Sequence, residues 1–426
     1  MLDRRFIVEN HELVAQNCQR RGVDADVDRL VELELQRRDL DKQVQELNQQ
    51  ANQLAKSVGK ASAEERAALI EQGRQVREQV DATKKQQDQL EEEILGLQNG
   101  IPNLTHPDAP VGDDDQANLE VRRGKTERPQ FDFQPKDHVA LGESLDMIDF
   151  EGGARVAGAG FYFLRNDAVR LELALQQYAL QTLTEAGFTP VITPDLAYTE
   201  ILHGTGYIPR GPETQIYSIE NTNLNLVATA EITLGGLMAG TVLEAEQLPM
   251  KICGISHCFR TEAGAAGRAS RGLYRVHQFT KVEMFAFTLP EQSDATLEEF
   301  CDLECRIFDG LELPYRVVDT ATGDLGGPAY RKYDLEAWMP GRGEGGEWGE
   351  VTSTSNCTDF QARRLNIRYK VKGEKGTKLA HTLNGTAIAI SRAIIAIMEN
   401  NQLADGTIRV PEALRPWIGK DRLGAS

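Results

Sequence analysis

The chain has 426 residues, of which 40% are hydrophobic, and its formal net charge is −18 at pH 7. This length predicts two or three domains, and the negative charge disfavours nucleic acid except at a local basic surface. The acidic N-terminus and the short apolar stretch at 387–398, which Arg392 interrupts, predict no leader segment and no membrane partner. Six cysteines without a Cys-x-x-Cys pair favour free thiols in a reducing cytoplasm.

Residues 28–99 lack proline and are rich in Leu, Gln, Glu, Arg and Lys. A seven-residue apolar repeat interrupted only by Arg37 predicts a coiled-coil helix, with seam positions Leu30, Leu33, Leu40, Val44, Leu47, Ala51, Leu54 and Val58. A second helix begins after residues 59–62, where Ser62 and Glu65 predict a capping box. Its seam is Leu69, Val76, Val80, Leu90, Ile94 and Leu97. The two helices predict an antiparallel hairpin, which serves either to reach a partner or to dimerise.

The remainder of the chain mixes strands and helices. Residues 100–135 are rich in Pro, Asp and Gly and predict a linker with some short structure. Apolar alternation then predicts strands at 188–192, 216–218, 224–228, 251–259, 273–287, 315–319, 330–337 and 348–355, and helical spacing predicts helices at 166–185, 296–310 and 383–400. The expected fold class is α+β, with a mainly antiparallel sheet flanked by helices. No glycine-rich Rossmann or P-loop motif is present, which disfavours those nucleotide sites.

One predicted hairpin, at 251–287, has a loop of small residues that carries Arg260, Glu262, Arg268 and Arg271. Backbone and guanidinium groups in such a loop can approach phosphate oxygens closely, although a solvated loop is the alternative. The outgoing strand alternates so that Phe279, Lys281 and Glu283 share one face.

Four carboxylates lie in strand-like contexts, at Glu231, Glu262, Glu283 and Glu350. Any one of them alone is more simply a paired charge on a sheet. Together with Arg260 and Arg392 they indicate a pocket that holds a cation and an anion. Arg392 interrupts an apolar helix, which suggests an arginine directed at a buried phosphate, or else an exposed helix end.

Long phrases in these regions resemble one family. The phrases FRTEAG, GRASRGLYRVHQFTKVE, SNCTDFQARR and HTLNGTAIAISR, together with Thr229-Ala-Glu231 and the N-terminal hairpin, resemble bacterial-type seryl-tRNA synthetase, a class II aminoacyl-tRNA synthetase. Residues 187–194 resemble the first class II signature, which shapes the dimer interface in the family. Residues 259–283 resemble the second signature, and residues 383–392 resemble the third.

The resemblance implies roles for individual residues. Arg260 and Arg392 would be the catalytic residues, contacting the α- and γ-phosphates of ATP. Glu262 would bind the adenine amino group, Val276 would support the adenine and Phe279 would stack on it. The ATP site would also include Thr261, Glu350, Val351, Thr352 and Ser353, and the metal Mg²⁺ would be held by Glu350 and Ser353. The residues implied to recognise L-serine are Thr229, Ala230, Glu231, Glu283 and Thr386.

The implied activity is that of a serine–tRNA ligase, which forms seryl-adenylate and pyrophosphate from L-serine and ATP and then transfers serine to tRNA(Ser). The resemblance leaves open whether tRNA(Sec) is also a substrate. It further implies a cytoplasmic homodimer, a tRNA-binding domain at 1–110 and a catalytic domain at 111–426. A ligase that loads a carrier protein and a non-catalytic coiled-coil protein are the alternatives.

Two departures from the family pattern affect these expectations. Thr386 replaces the usual Ser, which keeps the hydroxyl and changes the packing. Ala269-Ser270 replaces the usual Asp-Thr in a loop that meets the tRNA acceptor stem in the family, so this departure bears on tRNA affinity more than on adenylation.

Overall fold

The computed structural model describes residues 1–207, 215–262 and 272–424. The chain divides into two compact units, Met1–Leu104 and Thr105–Ser426, which are described separately. No helix in the described part of the chain is long and apolar enough to cross a bilayer.

The first unit is entirely helical. Two short helices precede two long ones: α1 (Arg4–Glu9), α2 (His11–Arg20), α3 (Val27–Val58) and α4 (Ala63–Gly100). Contacts from Arg29 to Glu93 and from Gln87 to Asp41 pair the start of α3 with the end of α4, so the hairpin is antiparallel as predicted. The predicted capping box is confirmed, since Ser62 Oγ accepts a hydrogen bond from the backbone of Glu65 and the Glu65 side chain accepts one from the backbone of Ser62.

The burial of the hairpin follows the predicted seam. At its base Leu30, Leu33 and Ile94 are fully buried, in a core that α1 and α2 complete. Farther along the hairpin, seam residues such as Leu47 and Val76 are only partly buried, whereas their neighbours are exposed. The distal hairpin therefore has a core only one seam wide, and the globular core of this unit lies at its base.

The second unit has the predicted α+β architecture. Its helices are α5 (His138–Ser144), α6 (Phe150–Ala157), α7 (Asp167–Glu185), α8 (Thr199–Thr205), α9 (Ala230–Leu237), α10 (Ser293–Gly310), α11 (Phe360–Leu365), α12 (Ile390–Asn400) and α13 (Arg415–Ile418). Its strands are β1 (Leu119–Arg123), β2 (Ile148–Asp149), β3 (Phe163–Leu164), β4 (Thr189–Ile192), β5 (Leu196–Tyr198), β6 (Leu224–Leu226), β7 (Val242–Glu244), β8 (Met250–Phe259), β9 (Gln278–Thr288), β10 (Tyr315–Asp319), β11 (Arg331–Met339), β12 (Glu347–Asn356), β13 (Arg368–Lys370), β14 (Lys378–Leu379), β15 (His381–Ala389), β16 (Ile408–Arg409) and β17 (Arg422–Leu423).

Within the described residues, the central sheet has eight strands in the order β1-β10-β11-β12-β15-β9-β8-β4. Neighbouring strands are antiparallel except β4 and β8, which are parallel at one edge. Helices α7, α10 and α12 cover one face, where Leu175, Phe300 and Ile394 pack against sheet residues such as Met284. The predicted linker contributes β1 to the other edge of the sheet, where it pairs with β10.

The single helix predicted at 383–400 is wrong. Residues His381–Ala389 form the central strand β15, and the helix α12 begins only at Ile390. The mainly apolar run at 387–398 continues from β15 into α12 without a Gly or Pro between them, so the sequence does not mark where the strand ends and the helix begins. The prediction also placed Glu231 in a strand context, whereas it lies in the first turn of α9, with Thr229 as the N-cap.

Candidate active site

The hairpin of β8 and β9 forms the centre of the site. The strands pair from Met250↔Phe287 to Phe259↔Gln278, and residues 279, 281 and 283 alternate onto one face as predicted. The predictions for Arg268, Arg271 and the Ala269-Ser270 departure concern residues outside those that the structure describes.

Arg260 follows directly after β8. Its guanidinium carbon lies 5.3 Å from the centroid of the Phe279 ring, and its Nε donates to the carbonyl oxygen of Ala228 at 3.4 Å. Burial opposes the charge on Arg260, but Tyr207, Cys258, Glu262 and Glu350 outweigh this effect and raise its pKa. The structure thus brings together the arginine and the aromatic ring that were predicted to hold the phosphate and the base of ATP.

Glu262 has a left-handed backbone with φ of +49°. This conformation is uncommon for a residue with a side chain, and such strain concentrates at functional sites. Its carboxylate accepts a hydrogen bond from Arg275 Nη1 at 3.2 Å, which orients the side chain. Thr261 precedes it, and Val276, predicted to support the adenine, is buried.

Four buried side chains form a polar cluster between β9, β15 and the start of α9. The Lys281 ammonium lies 2.5 Å from Glu283 Oε2, and it donates to Thr229 Oγ1 at 2.8 Å and to Thr386 Oγ1 at 3.3 Å. Thr386 Oγ1 donates in turn to Glu283 Oε2 at 3.2 Å, because these two residues are directly opposite in the β15–β9 ladder. Three of the residues predicted to bind the substrate serine therefore meet around Lys281.

Glu231 lies beside this cluster, after the buried Ala230. Its Oε1 accepts hydrogen bonds from Gln361 Nε2 at 2.7 Å and from Asn384 Nδ2 at 3.0 Å. Burial and then the charge of Glu283 raise the pKa of Glu231 to about 7, against the opposing effect of Lys281. A carboxyl group with this pKa is ready to ionise when a cationic ligand arrives.

Glu350 and Arg392 face each other across β12 and α12. Arg392 Nη1 lies 3.5 Å from Glu350 Oε1 and donates to the Glu350 carbonyl oxygen at 2.9 Å. Burial acts against ionisation of Glu350, but the positive charges of Arg392, Lys332 and Arg260 hold its pKa below the usual value. Arg260 and Arg392 were predicted to contact the α- and γ-phosphates of ATP. Both of them lower the pKa of the same carboxylate, Glu350.

A cavity of about 520 Å³ lies beside Glu231 and is lined by Glu231, Asn384, Lys332 and Ser353 among others. Ser353 is paired with Asp334 on the neighbouring strand, and the Asp334 carboxylate lies 2.9 Å from Lys332 Nζ. Burial raises the pKa of Asp334 to about 7, and Lys332 opposes the shift. The side chains of Val351 and Thr352 are buried and are not among the residues that line this cavity.

Sequence reasoning assigned no role to Lys281, Lys332, Gln361 or Asn384. The alternation of β9 placed Lys281 on the face of Glu283, which was the available signal. The contacts of Gln361 and Asn384 with Glu231 depend on an order of strands and helices that no local pattern predicts, whereas Lys332 and its partner Asp334 lie two residues apart on β11.

The family profile described as the seryl-tRNA synthetase N-terminal domain matches residues 1–105, and the class II tRNA synthetase core domain (G, H, P, S and T) matches residues 216–401. Serine–tRNA ligase of Rhodopirellula baltica is 68% identical over 424 residues, covering 99% of both chains. Serine–tRNA ligase of Rubrobacter xylanophilus is 56% identical over 425 residues, covering 100% of this chain and 99% of the relative.

Among solved structures, seryl-tRNA synthetase from Pyrococcus horikoshii complexed with ATP matches with a TM-score of 0.91 and 38% identity, covering 99% of each chain. The sequence matches and this structural match extend over both units. The chain therefore belongs to the seryl-tRNA synthetase family of class II aminoacyl-tRNA ligases.

Proposed function

We propose that this chain activates L-serine with ATP and transfers it to tRNA(Ser). The observation that carries the proposal is the buried cluster of Thr229, Glu283 and Thr386 around Lys281. Such a cluster offers hydrogen bonds to a small polar side chain, and a site built for a hydroxyl rejects an analogue without one because buried groups are left unpaired. The relatives' names support the same substrate.

ATP would bind along Arg260, Phe279 and Arg392. Phe279 would stack on the adenine and Glu262 would accept from its amino group, while the two arginines neutralise the phosphates. The ring already carries a cation–π contact with Arg260, so these groups are held before the ligand arrives. The Pyrococcus horikoshii relative was solved in complex with ATP, which supports ATP as the nucleotide.

In the first step a serine carboxylate oxygen attacks the α-phosphorus, the bond to the β-phosphate oxygen breaks, and pyrophosphate leaves. In the second step a terminal ribose hydroxyl of the tRNA attacks the acyl carbon, loses its proton, and AMP leaves. No protein nucleophile is needed, so the protein contributes by positioning the reactants and by stabilising charge through Arg260 and Arg392.

The oxygen donors of Glu350, Ser353 and Asp334 fit Mg²⁺. Glu350 is held ionised, Ser353 lines the cavity, and Asp334 beside it has a buried Oδ1 without a hydrogen-bond partner among the described residues. Mg²⁺ is usually bound by one or two carboxylates together with substrate phosphates, and it would supply charge neutralisation there.

The arm formed by α3 and α4 would bind the tRNA, and the enzyme would act as a homodimer. Strand β4, in the segment that resembles the first class II signature, supports the dimer because it ends the sheet and leaves Ile192 87% exposed. Sedimentation of the wild type and of Ile192→Asp tests this, since a monomeric wild type would refute the dimer. Whether tRNA(Sec) is charged and whether the enzyme is cytoplasmic remain predictions.

The direct test is exchange of labelled pyrophosphate into ATP with each of the twenty amino acids, followed by transfer to tRNA(Ser). We expect exchange that depends on serine and exceeds that with alanine by more than about 100-fold. Equal exchange with alanine would exclude serine as the intended substrate. Transfer to a carrier protein instead of tRNA would favour the carrier-loading alternative.

A further inference from the structure

The inference concerns Lys281, which is 5% exposed and to which the reaction described above gives no role. A lysine buried to this degree is normally held by paired groups. An ammonium group has three N–H donors, and here three acceptors lie within reach: Glu283 Oε2, Thr229 Oγ1 and Thr386 Oγ1. The lysine therefore connects the three residues predicted to bind serine, which lie on β9, on β15 and at the N-cap of α9.

These contacts fix the direction in which each hydroxyl donates. Thr229 Oγ1 accepts from Lys281 and also from the backbone N–H of Glu231 at 3.2 Å, so both of its lone pairs are occupied. Its own proton must then be donated elsewhere, and among the described residues no acceptor for it is recorded. Thr229 thus keeps one hydrogen-bond donor for a ligand, and it lies two residues before Glu231, which lines the cavity.

Thr386 presents a hydrogen-bond acceptor where Thr229 presents a donor. Its hydroxyl donates to Glu283 and accepts from Lys281, which leaves one lone pair as an acceptor. The cluster therefore offers one donor and one acceptor to a ligand. A ligand hydroxyl can satisfy both, and a methyl group can satisfy neither.

We propose that Lys281 is a positioning residue that sets the hydrogen-bond polarity of Thr229, Glu283 and Thr386, and thereby determines the discrimination of serine from alanine. The proposal rests on the proposed serine activation. Lys281 acts through the three side chains that it orients and does not itself take part in bond making or breaking.

Lys281→Met tests this, because methionine has a similar length and no donor. The expected result is a serine KM at least about 10-fold higher and a serine-to-alanine exchange ratio at least about 10-fold lower, with the KM for ATP within about twofold, because hydrogen bonds to charged groups are the strong ones.

The matched control is Lys251→Met. Lys251 is also a lysine of the central sheet, on β8, with a carboxylate partner, Glu299 at 2.7 Å, and the cavity residues named above do not include it. We expect Lys251→Met to leave the serine-to-alanine ratio unchanged, whatever it does to thermal stability.

A second measurement separates charge from geometry. Glu231 faces Lys281 and Glu283 on β9, Arg260 after β8, Gln361 on α11 and Asn384 on β15. We expect serine affinity to rise as Glu231 ionises, at a pH near its pKa of about 7. Since Lys281 lowers this pKa, Lys281→Met should move the rise in affinity to a higher pH. Lys281→Arg keeps the charge, so it should keep the pH profile but lose part of the discrimination, because a planar fork cannot place three donors around one point.

The outcomes are decisive in each direction. If Lys281→Met keeps the wild-type serine KM and serine-to-alanine ratio and only melts at lower temperature, the lysine is structural and the proposal is wrong. If the wild type shows no exchange that depends on serine, the proposed function itself fails, which is a different result from the same assay.

Discussion

The helical arm and the active site use charged residues in different ways. On the arm, Arg29 and Glu93 form an ion pair whose side chains are 40% and 49% exposed, and such surface pairs contribute little to stability. In the site, Lys281 and Glu283 are paired at 7% and 2% exposure, where removing either partner leaves an uncompensated buried charge. The arm therefore tolerates changes of individual charges, whereas the site depends on particular pairs.

The comparison predicts that shortening the arm separates the two steps of the reaction. Asp41 Oδ1 and Gln87 Nε2 lie 2.6 Å apart across the hairpin, so a short Gly-Ser turn can replace residues 42–86 and keep the buried base at Leu30, Leu33 and Ile94. We expect pyrophosphate exchange within about twofold of the wild type and tRNA charging reduced to background, because the surface that would hold the tRNA is lost. Full charging by the shortened protein would refute the role of the arm.

The next largest effect is expected at Arg260, in the site. Arg260→Ala removes a partly buried guanidinium beside Phe279 and should lower the rate of exchange by about 10²–10³-fold, the usual cost of losing a preorganised charge contact in the transition state. Single-turnover adenylate formation measures this rate. The control Arg275→Ala removes an arginine that donates a hydrogen bond to Glu262, and it should have a smaller effect.

The helical arm and the active site were not equally predictable from the sequence. The arm was predicted with its seam, its antiparallel course and its capping box, because a heptad repeat depends only on neighbours along the chain. In the site, Arg260, Glu283 and Arg392 were recognised from long motifs. The contact of Lys281 with Thr229 and Thr386 could not be predicted, since it depends on which strands lie side by side in the sheet.

The helix predicted at 383–400 failed for a related reason. Strand β15 alternates Thr382, Asn384 and Thr386 with smaller or apolar residues, but the mainly apolar run at 387–398 continues from the strand into α12 and conceals the boundary. Thr386 was consequently assigned to a helix, although its position opposite Glu283 requires the strand.

Glu231 provides a test of stability in the site. Its folded pKa of about 7 lies above the ordinary value of 4.5, so the stability associated with its protonated form is fully present below pH 4.5 and is lost as the pH rises through 7. By linkage this shift corresponds to about 3 kcal/mol above pH 7, so Glu231→Gln should be more stable than the wild type at pH 8 by up to about that amount. Urea unfolding at pH 5 and pH 8 measures the difference. An advantage of the variant that is equal at both pH values would contradict this explanation.

Thr386 tests a single hydroxyl in the same site. Thr386→Val keeps the shape and removes the hydrogen bonds to Glu283 and Lys281, so the serine KM should rise by about 10–100-fold, which corresponds to the loss of hydrogen bonds to charged partners. Thr386→Ser keeps the hydroxyl and should retain a serine KM within about threefold of the wild type, because only the methyl packing changes. Equal effects of both substitutions would show that packing, and not the hydroxyl, governs serine binding.

The smallest effect is expected at the tip of the arm. Ser62→Ala removes one half of the capping box at the start of α4, which typically costs about 1 kcal/mol. Because the seam near the tip is only partly buried, this loss should appear as local fraying, with faster amide hydrogen exchange in residues 63–70 and little change at the buried base around Ile94. Exchange of labelled pyrophosphate should be unchanged. If Ser62→Ala instead speeds hydrogen exchange equally throughout α4, the arm unfolds as one cooperative unit, and the division between a firm base and a thin distal hairpin is incorrect.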